Sequence, residues 1–284
     1  MSRNQDRAFN NTTDSPENTN TSTPPPTPVA PDTQMTAASP FNFVVPTEVI
    51  NLPSAGKHYP VGHPLHNQTS IEIKHMTAKE EDILTSATLL KKGLALDKML
   101  QSIIVDKNIR IEDLLVGDKN ALLVASRVYG YGAKYDTEVE CMACKHVFST
   151  SFDLDNLKTK EIIDVKAITM TENHTFKLPL PKSNIVVEFR LLTSKDESVL
   201  ANNKIAGSLS LLKTIVVSIN DQTDSFYITR AIESLPILDV SMLKKAYTAV
   251  MPDLDMTQMV ECENCNETAN MGVPLDAGFF WPNL

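Results

Sequence analysis

The 284-residue sequence has only four cysteines, one tryptophan and nine glycines. It has no apolar run long enough to span a bilayer, so no membrane helix is expected. It opens on no apolar signal core, so export is not expected either. Positive charge is not in excess: 26 Lys and Arg stand against 35 Asp and Glu, a net charge of −9. A phosphate backbone would meet no basic field, which argues against a nucleic-acid partner. The motifs G-x-x-x-x-G-K-[ST], G-x-S-x-G and H-E-x-x-H are missing, and no spacing specifies a pair of catalytic carboxylates. The chain is therefore expected to be no enzyme and to take no small-molecule substrate.

The four cysteines come as two pairs, Cys141-Met-Ala-Cys144 and Cys262-Glu-Asn-Cys265. A C-x-x-C turn can put two thiolates on one metal ion, and two such turns complete a closed tetrahedral site. Their surroundings match. Val139-Glu140 precedes one pair and Val260-Glu261 the other, a polar residue follows each, and then a stretch that can extend. This predicts two facing zinc knuckles with a structural Zn2+ on Cys141, Cys144, Cys262 and Cys265. In a compact ribbon the pairs lie roughly twenty residues apart. Here residues 145–261 intervene, so a shared ion makes that segment an insertion whose ends meet at the metal. A redox C-x-x-C and exported disulfides are the rivals. Glu140, Glu261 and Glu263 disfavour the first, because a reactive thiolate wants an electropositive setting. A reducing, cytoplasmic compartment suits zinc thiolates.

Residues 1–44 are rich in Asn, Thr, Ser and Pro and are expected to be a disordered tail. Beyond them the pattern predicts an α+β fold. A mainly helical region, 45–135, leads to a zinc-ribbon-like region, 136–284. Knuckles 139–154 and 260–275 there flank an α/β insertion, 155–259. Ser70–Lys74 alternates as a strand. Thr77 and Glu80 form a capping box for a helix that runs to Lys92 and stops at Gly93. A second helix carries Leu96 to Ile104, and Asp118 is expected to cap a third through Val128. Phe176–Leu180 and Ile185–Leu192 read as a hairpin, and Asp239 as the cap of a helix ending before Pro252. His58, His63, His66 and His75 cluster in sequence without ligand-pair spacing, and His58 and Tyr59 read as turn-packing residues.

The chain closes on Phe279-Phe280-Trp281-Pro282 near its terminus. Termini fray unless held, so these rings are expected either in this chain's core or as anchors in a partner.

Taken together, Leu52-Pro-Ser-Ala-Gly-Lys-His-Tyr-Pro60, Thr77-Ala-Lys-Glu-Glu-Asp-Ile-Leu84, Asp113-Leu-Leu-Val-Gly-Asp-Lys-Asn-Ala121, Arg127-Val-Tyr-Gly-Tyr-Gly132, both knuckles and Phe279-Phe-Trp-Pro282 resemble one family. It is the baseplate hub protein family of T-even-like contractile-tailed bacteriophages, and the resemblance runs over about residues 45–284. It implies a non-enzymatic part in assembling the central hub, with other hub or tail-assembly proteins as partners. The place implied is the host cytoplasm during assembly, with the virion tail as a further one. Three alternatives stay open: a chaperone of the tape-measure protein, a zinc-ribbon nucleic-acid binder, and an enzyme whose site is built from scattered residues.

Overall fold

Apolar side chains from the whole span Leu52 to Phe280 gather into one core, so the helical region and the knuckle region share an interior. The computed structural model describes residues 44–161, 167–202, 207–275 and 279–280. These belong to one unit, Val44–Leu284. The expected tail lies outside the described residues, apart from Val44.

The first described elements are an antiparallel pair, β1 (Thr47–Asn51) and β2 (Ser70–Lys74). The alternation of β2 turns Ile71 and Ile73 inward. The helix expected from Thr77 to Lys92 is broken into α1 (Ala78–Thr85) and α2 (Ala87–Lys91). Ser86 adopts extended backbone between them (φ −64°, ψ 107°). Its N–H ends one helix on the Ile83 carbonyl, and its own carbonyl accepts from Leu90 to begin the next. At the start of α1 the Glu80 carboxylate accepts from the Thr77 N–H and hydroxyl, at 3.0 and 2.5 Å. Its other oxygen accepts from the Ser102 hydroxyl at 2.6 Å, which ties α1 to α3 (Ala95–Ile103). Glu80 is thus buried.

A short 3-10 turn at Ile111–Asp113 leads into α4 (Val116–Tyr131). Its first turn lies against another backbone: a Cβ on Gly117 would sit 1.9 Å from the Pro252 carbonyl oxygen. Two hairpin arms follow, β3 (Lys134–Glu140) and β4 (Val147–Asp153). Their alternation is strict, and the register faces Tyr135 with Phe152 and Val139 with Phe148, all four buried.

The insertion holds an antiparallel sheet of order β5 (Thr169–Met170), β6 (Phe176–Leu180), β7 (Ile185–Phe189) and β8 (Val216–Ile219). Helices α5 (Ser194–Asn202) and α6 (Ser208–Ile215) lie between β7 and β8 in the chain. After β8 come α7 (Ser225–Glu233), α8 (Ile237–Val250) and the second hairpin, β9 (Thr257–Glu261) and β10 (Thr268–Gly272). The apolar stretch 210–219 is helix up to Ile215 and strand from Val216.

Polar links fasten the insertion to the helical half. Val116 N–H donates to the Leu192 carbonyl and Ser194 N–H to the Leu114 carbonyl, at 3.1 and 2.7 Å. Lys119 of α4 reaches Asp97 of α3 at 2.8 Å and Glu197 of α5 at 3.0 Å.

Candidate metal centre

Each cysteine turn is closed by the same backbone pattern. Cys141 N–H donates to the His146 carbonyl and Lys145 N–H to the Cys141 carbonyl, both at 2.9 Å. In the second turn Cys262 N–H donates to Glu267 and Asn266 N–H to Cys262, again at 2.9 Å. The residue after each pair takes a left-handed conformation, Lys145 at φ 62° and Asn266 at φ 55°. Asn tolerates that region well; Lys145 holds it because the turn demands it. In both turns the first cysteine is buried and the second lies at the surface.

The two turns face each other. The four Sγ atoms lie within 4.8 Å of one another, close enough to hold a metal ion. Cys141 is 3.7 Å from Cys265, and Cys144 is 3.7 Å from Cys262. Among the described residues no other group of three or more His, Cys, Asp or Glu converges in this way. The sequence cluster of histidines does not form such a group.

The surroundings favour thiolate at one position. The His146 N–H, and then the Asn264 amide at 3.6 Å, pull the Cys144 thiol down to about 6. The Glu267 N–H pulls Cys265 the same way, but the neighbouring sulfurs, Cys144 first, outweigh it and push that thiol up to about 12. Cys144 thus gives up its proton readily while Cys265 resists a second negative charge beside it, which is the condition a cation would relieve.

Contacts beyond the sulfurs hold the knuckles in register. The Gln258 side chain mimics a strand: its amide donates to the Asp153 carbonyl at 2.6 Å, and its oxygen accepts from the Asp153 N–H at 3.0 Å. Below it, Lys160 N–H donates to the Asp253 carbonyl and Asp255 N–H to the Lys158 carbonyl, at 2.8 and 2.7 Å. The two ends of the insertion therefore run side by side under the cysteine cluster.

A second polar centre was not legible as one. Asp118 and Asp239 are not helix caps. Each lies inside a first turn, is fully buried, and binds a remote segment. The Asp118 carboxylate accepts from the Ser54 N–H (2.9 Å), the Ser54 hydroxyl (2.6 Å) and the Tyr59 hydroxyl (2.7 Å). Tyr59 in turn accepts from the Leu115 N–H at 3.1 Å. Burial raises the Asp118 carboxyl although Ser54 and Tyr59 donate to it, and burial followed by the Asp118 charge raises the Tyr59 phenol. Asp239 accepts from the N–H groups of Lys182 and Ser183 and so closes the β6–β7 turn.

At the C-terminal end, Phe279 and Phe280 are each 2% exposed. The Phe279 ring meets Tyr135 edge-on at 5.2 Å and Phe280 at the same distance. Both rings are taken up by this chain's own core, while Trp281 and Pro282 lie outside the described residues.

Fold and site together define a mixed α+β protein with two facing cysteine turns at the base of a large insertion. The family described as T4 bacteriophage base plate protein matches it over residues 45–280, and the chain belongs to that family. Membership gives it a structural role in the phage baseplate, among other baseplate proteins. Comparison with curated proteins and with solved structures yields no match. No helix among the described residues is long and apolar enough to cross a membrane.

Proposed function

We propose that the chain is a non-enzymatic assembly component of the central hub of the baseplate, held in shape by a structural zinc ion on Cys141, Cys144, Cys262 and Cys265. The meeting of four sulfurs from two distant turns carries the metal part of this reading, and the baseplate family supports the assembly part. Four thiolates at about 2.3 Å around zinc have sulfur–sulfur edges of about 3.8 Å. The two cross-knuckle distances of 3.7 Å are of that size. A closed four-thiolate site leaves no position for a substrate, which supports a structural use of the metal.

The knuckle surfaces favour protein partners over nucleic acid. Lys145 is already paired with Glu140 at 3.2 Å, and Glu261 and Glu263 stand exposed beside the second pair. Hub or tail-assembly proteins are the partners this reading names, met in the host cytoplasm during assembly.

Metal analysis of the purified chain, with thiols counted before and after chelation, tests the site. Stoichiometric zinc and thiols that react only after chelation are expected; metal-free protein with freely reactive thiols would remove the zinc. Mass spectrometry of mature tails tests the hub. A chain found only with a long helical tape-measure protein, and not in tails, is a tail-assembly chaperone instead.

A further inference from the structure

Helix α8 is apolar on two faces. Leu243, Ala246, Tyr247 and Val250 enter the core. On the other side Leu238, Ser241, Met242, Lys245 and Ala249 line a groove against Leu178 and Pro181 of the β6–β7 hairpin. Their spacing is helical, and from Leu238 to Ala249 the stripe is about 16 Å long, three turns of helix. The groove encloses about 490 Å³. A second hollow of about 370 Å³ shares Pro181 and Met242 with it and extends it along Ile185 and Val186. Ile237 at the start of α8 is 83% exposed and Leu238 53%. A surface helix ordinarily keeps its outer face polar, so an apolar outer stripe marks a face that another molecule covers.

The chemistry of the rim selects the occupant. Among the described residues Lys245 is the one charged side chain lining the groove, and Lys182 stands exposed next to Pro181. The nearby carboxylate, Asp239, is buried and engaged by the turn's N–H groups. Within a chain of net charge −9, this groove is locally positive. A strand is disfavoured: β5 pairs only with Phe176 and Lys177 of β6, and the rest of that edge carries Pro179, which has no N–H to offer. A two-fold pairing of identical grooves would set Lys245 and Lys182 against themselves. We infer that the groove between α8 and the β6–β7 hairpin docks an amphipathic helix of another protein, with an apolar ridge flanked by Asp or Glu.

The inference takes from the assembly reading only that the partner is a protein. The probe is a synthetic 15-residue helix with Leu at i, i+4, i+7 and i+11 and Glu flanks; its twin carries Lys for Glu. Fluorescence anisotropy on the full chain should show saturable binding of the acidic peptide and at least about tenfold weaker binding of the basic one. Ser241→Trp should fill the groove and abolish both. Lys182→Glu with Lys245→Glu, both at exposed positions, should reverse the preference without altering the fold by circular dichroism. No saturable binding, equal affinity for both peptides, or binding indifferent to Ser241→Trp would overturn the inference. So would concentration-dependent self-association that Ser241→Trp removes, because the occupant would then be a second copy. None of these outcomes bears on zinc content or on the presence of the chain in tails, so that reading stands or falls separately.

Discussion

Cys144 and Cys262 stand 118 positions apart in the chain, with their sulfurs 3.7 Å apart. A metal shared by their two turns closes that loop. In the chain-entropy model a cross-link around a loop of this size is worth about 4–5 kcal/mol. Chelation, or Cys262→Ser, should therefore lower the midpoint of thermal unfolding sharply. It should also open the paired segments at Lys158–Lys160 and Asp253–Asp255 to proteases. A chelator that strips metal and leaves both midpoint and cleavage unchanged would show that the sulfurs do not staple the insertion.

Arg190 and Asp196 supply a pH dependence with a definite sign. The guanidinium forks onto the carboxylate at 2.5 and 2.9 Å, and Thr193 adds its N–H and hydroxyl at 3.0 and 2.9 Å. Burial alone would raise this carboxyl, but Arg190 and then Thr193 outweigh it and hold it below the ordinary value. Its contribution is thus present above the unfolded value of about 3.9 and is lost as pH falls through the lower folded one. Unfolding midpoints between about pH 6 and pH 2 should fall less steeply for Asp196→Asn than for the parent protein. Parallel curves would mean that the pair carries no folding linkage.

Tyr59 links two segments that share no local sequence. Its hydroxyl donates to Asp118 and accepts from the Leu115 N–H at the start of α4. Tyr59→Phe keeps the ring but leaves that N–H buried and unpaired. The expected cost is about 1–3 kcal/mol, read as a shift in urea midpoint with metal content unchanged. A shift under about 0.5 kcal/mol would mean that water replaces the hydroxyl.

These cases show what was legible in the chain and what was not. Local rules act over a few residues, and they located β2, the Thr77–Glu80 contact, α3 and the turn chemistry of both cysteine pairs. Where the physics is long-range they misled. Asp118 and Asp239 resemble helix caps because a cap is the one partner that a neighbourhood of sequence can offer. Their actual partners are Ser54, 64 positions away, and Ser183, 56 positions away. The break at Ser86 was hidden for a related reason: apolar spacing continues through it, while the break itself lies in the extended backbone of Ser86, beyond the end of the helix that packs on α3. The cysteine spacing pointed to two turns. That they close on each other depends on the whole insertion bringing its ends together.

Phe279 offers a test of where the C-terminal aromatics belong energetically. Its ring is buried against Tyr135, which is itself paired with Phe152 across β3 and β4, the arms of the first knuckle. The ring therefore packs behind the hairpin that presents Cys141 and Cys144. Phe279→Ala should cost about 3–5 kcal/mol, as other large aromatic truncations in cores do. The loss should be felt at the metal centre, as faster zinc release to a chelator. A Phe279→Ala protein of parental stability that fails only in assembly would assign the ring to a partner. A destabilised protein that leaks zinc would make it the rear support of the first knuckle.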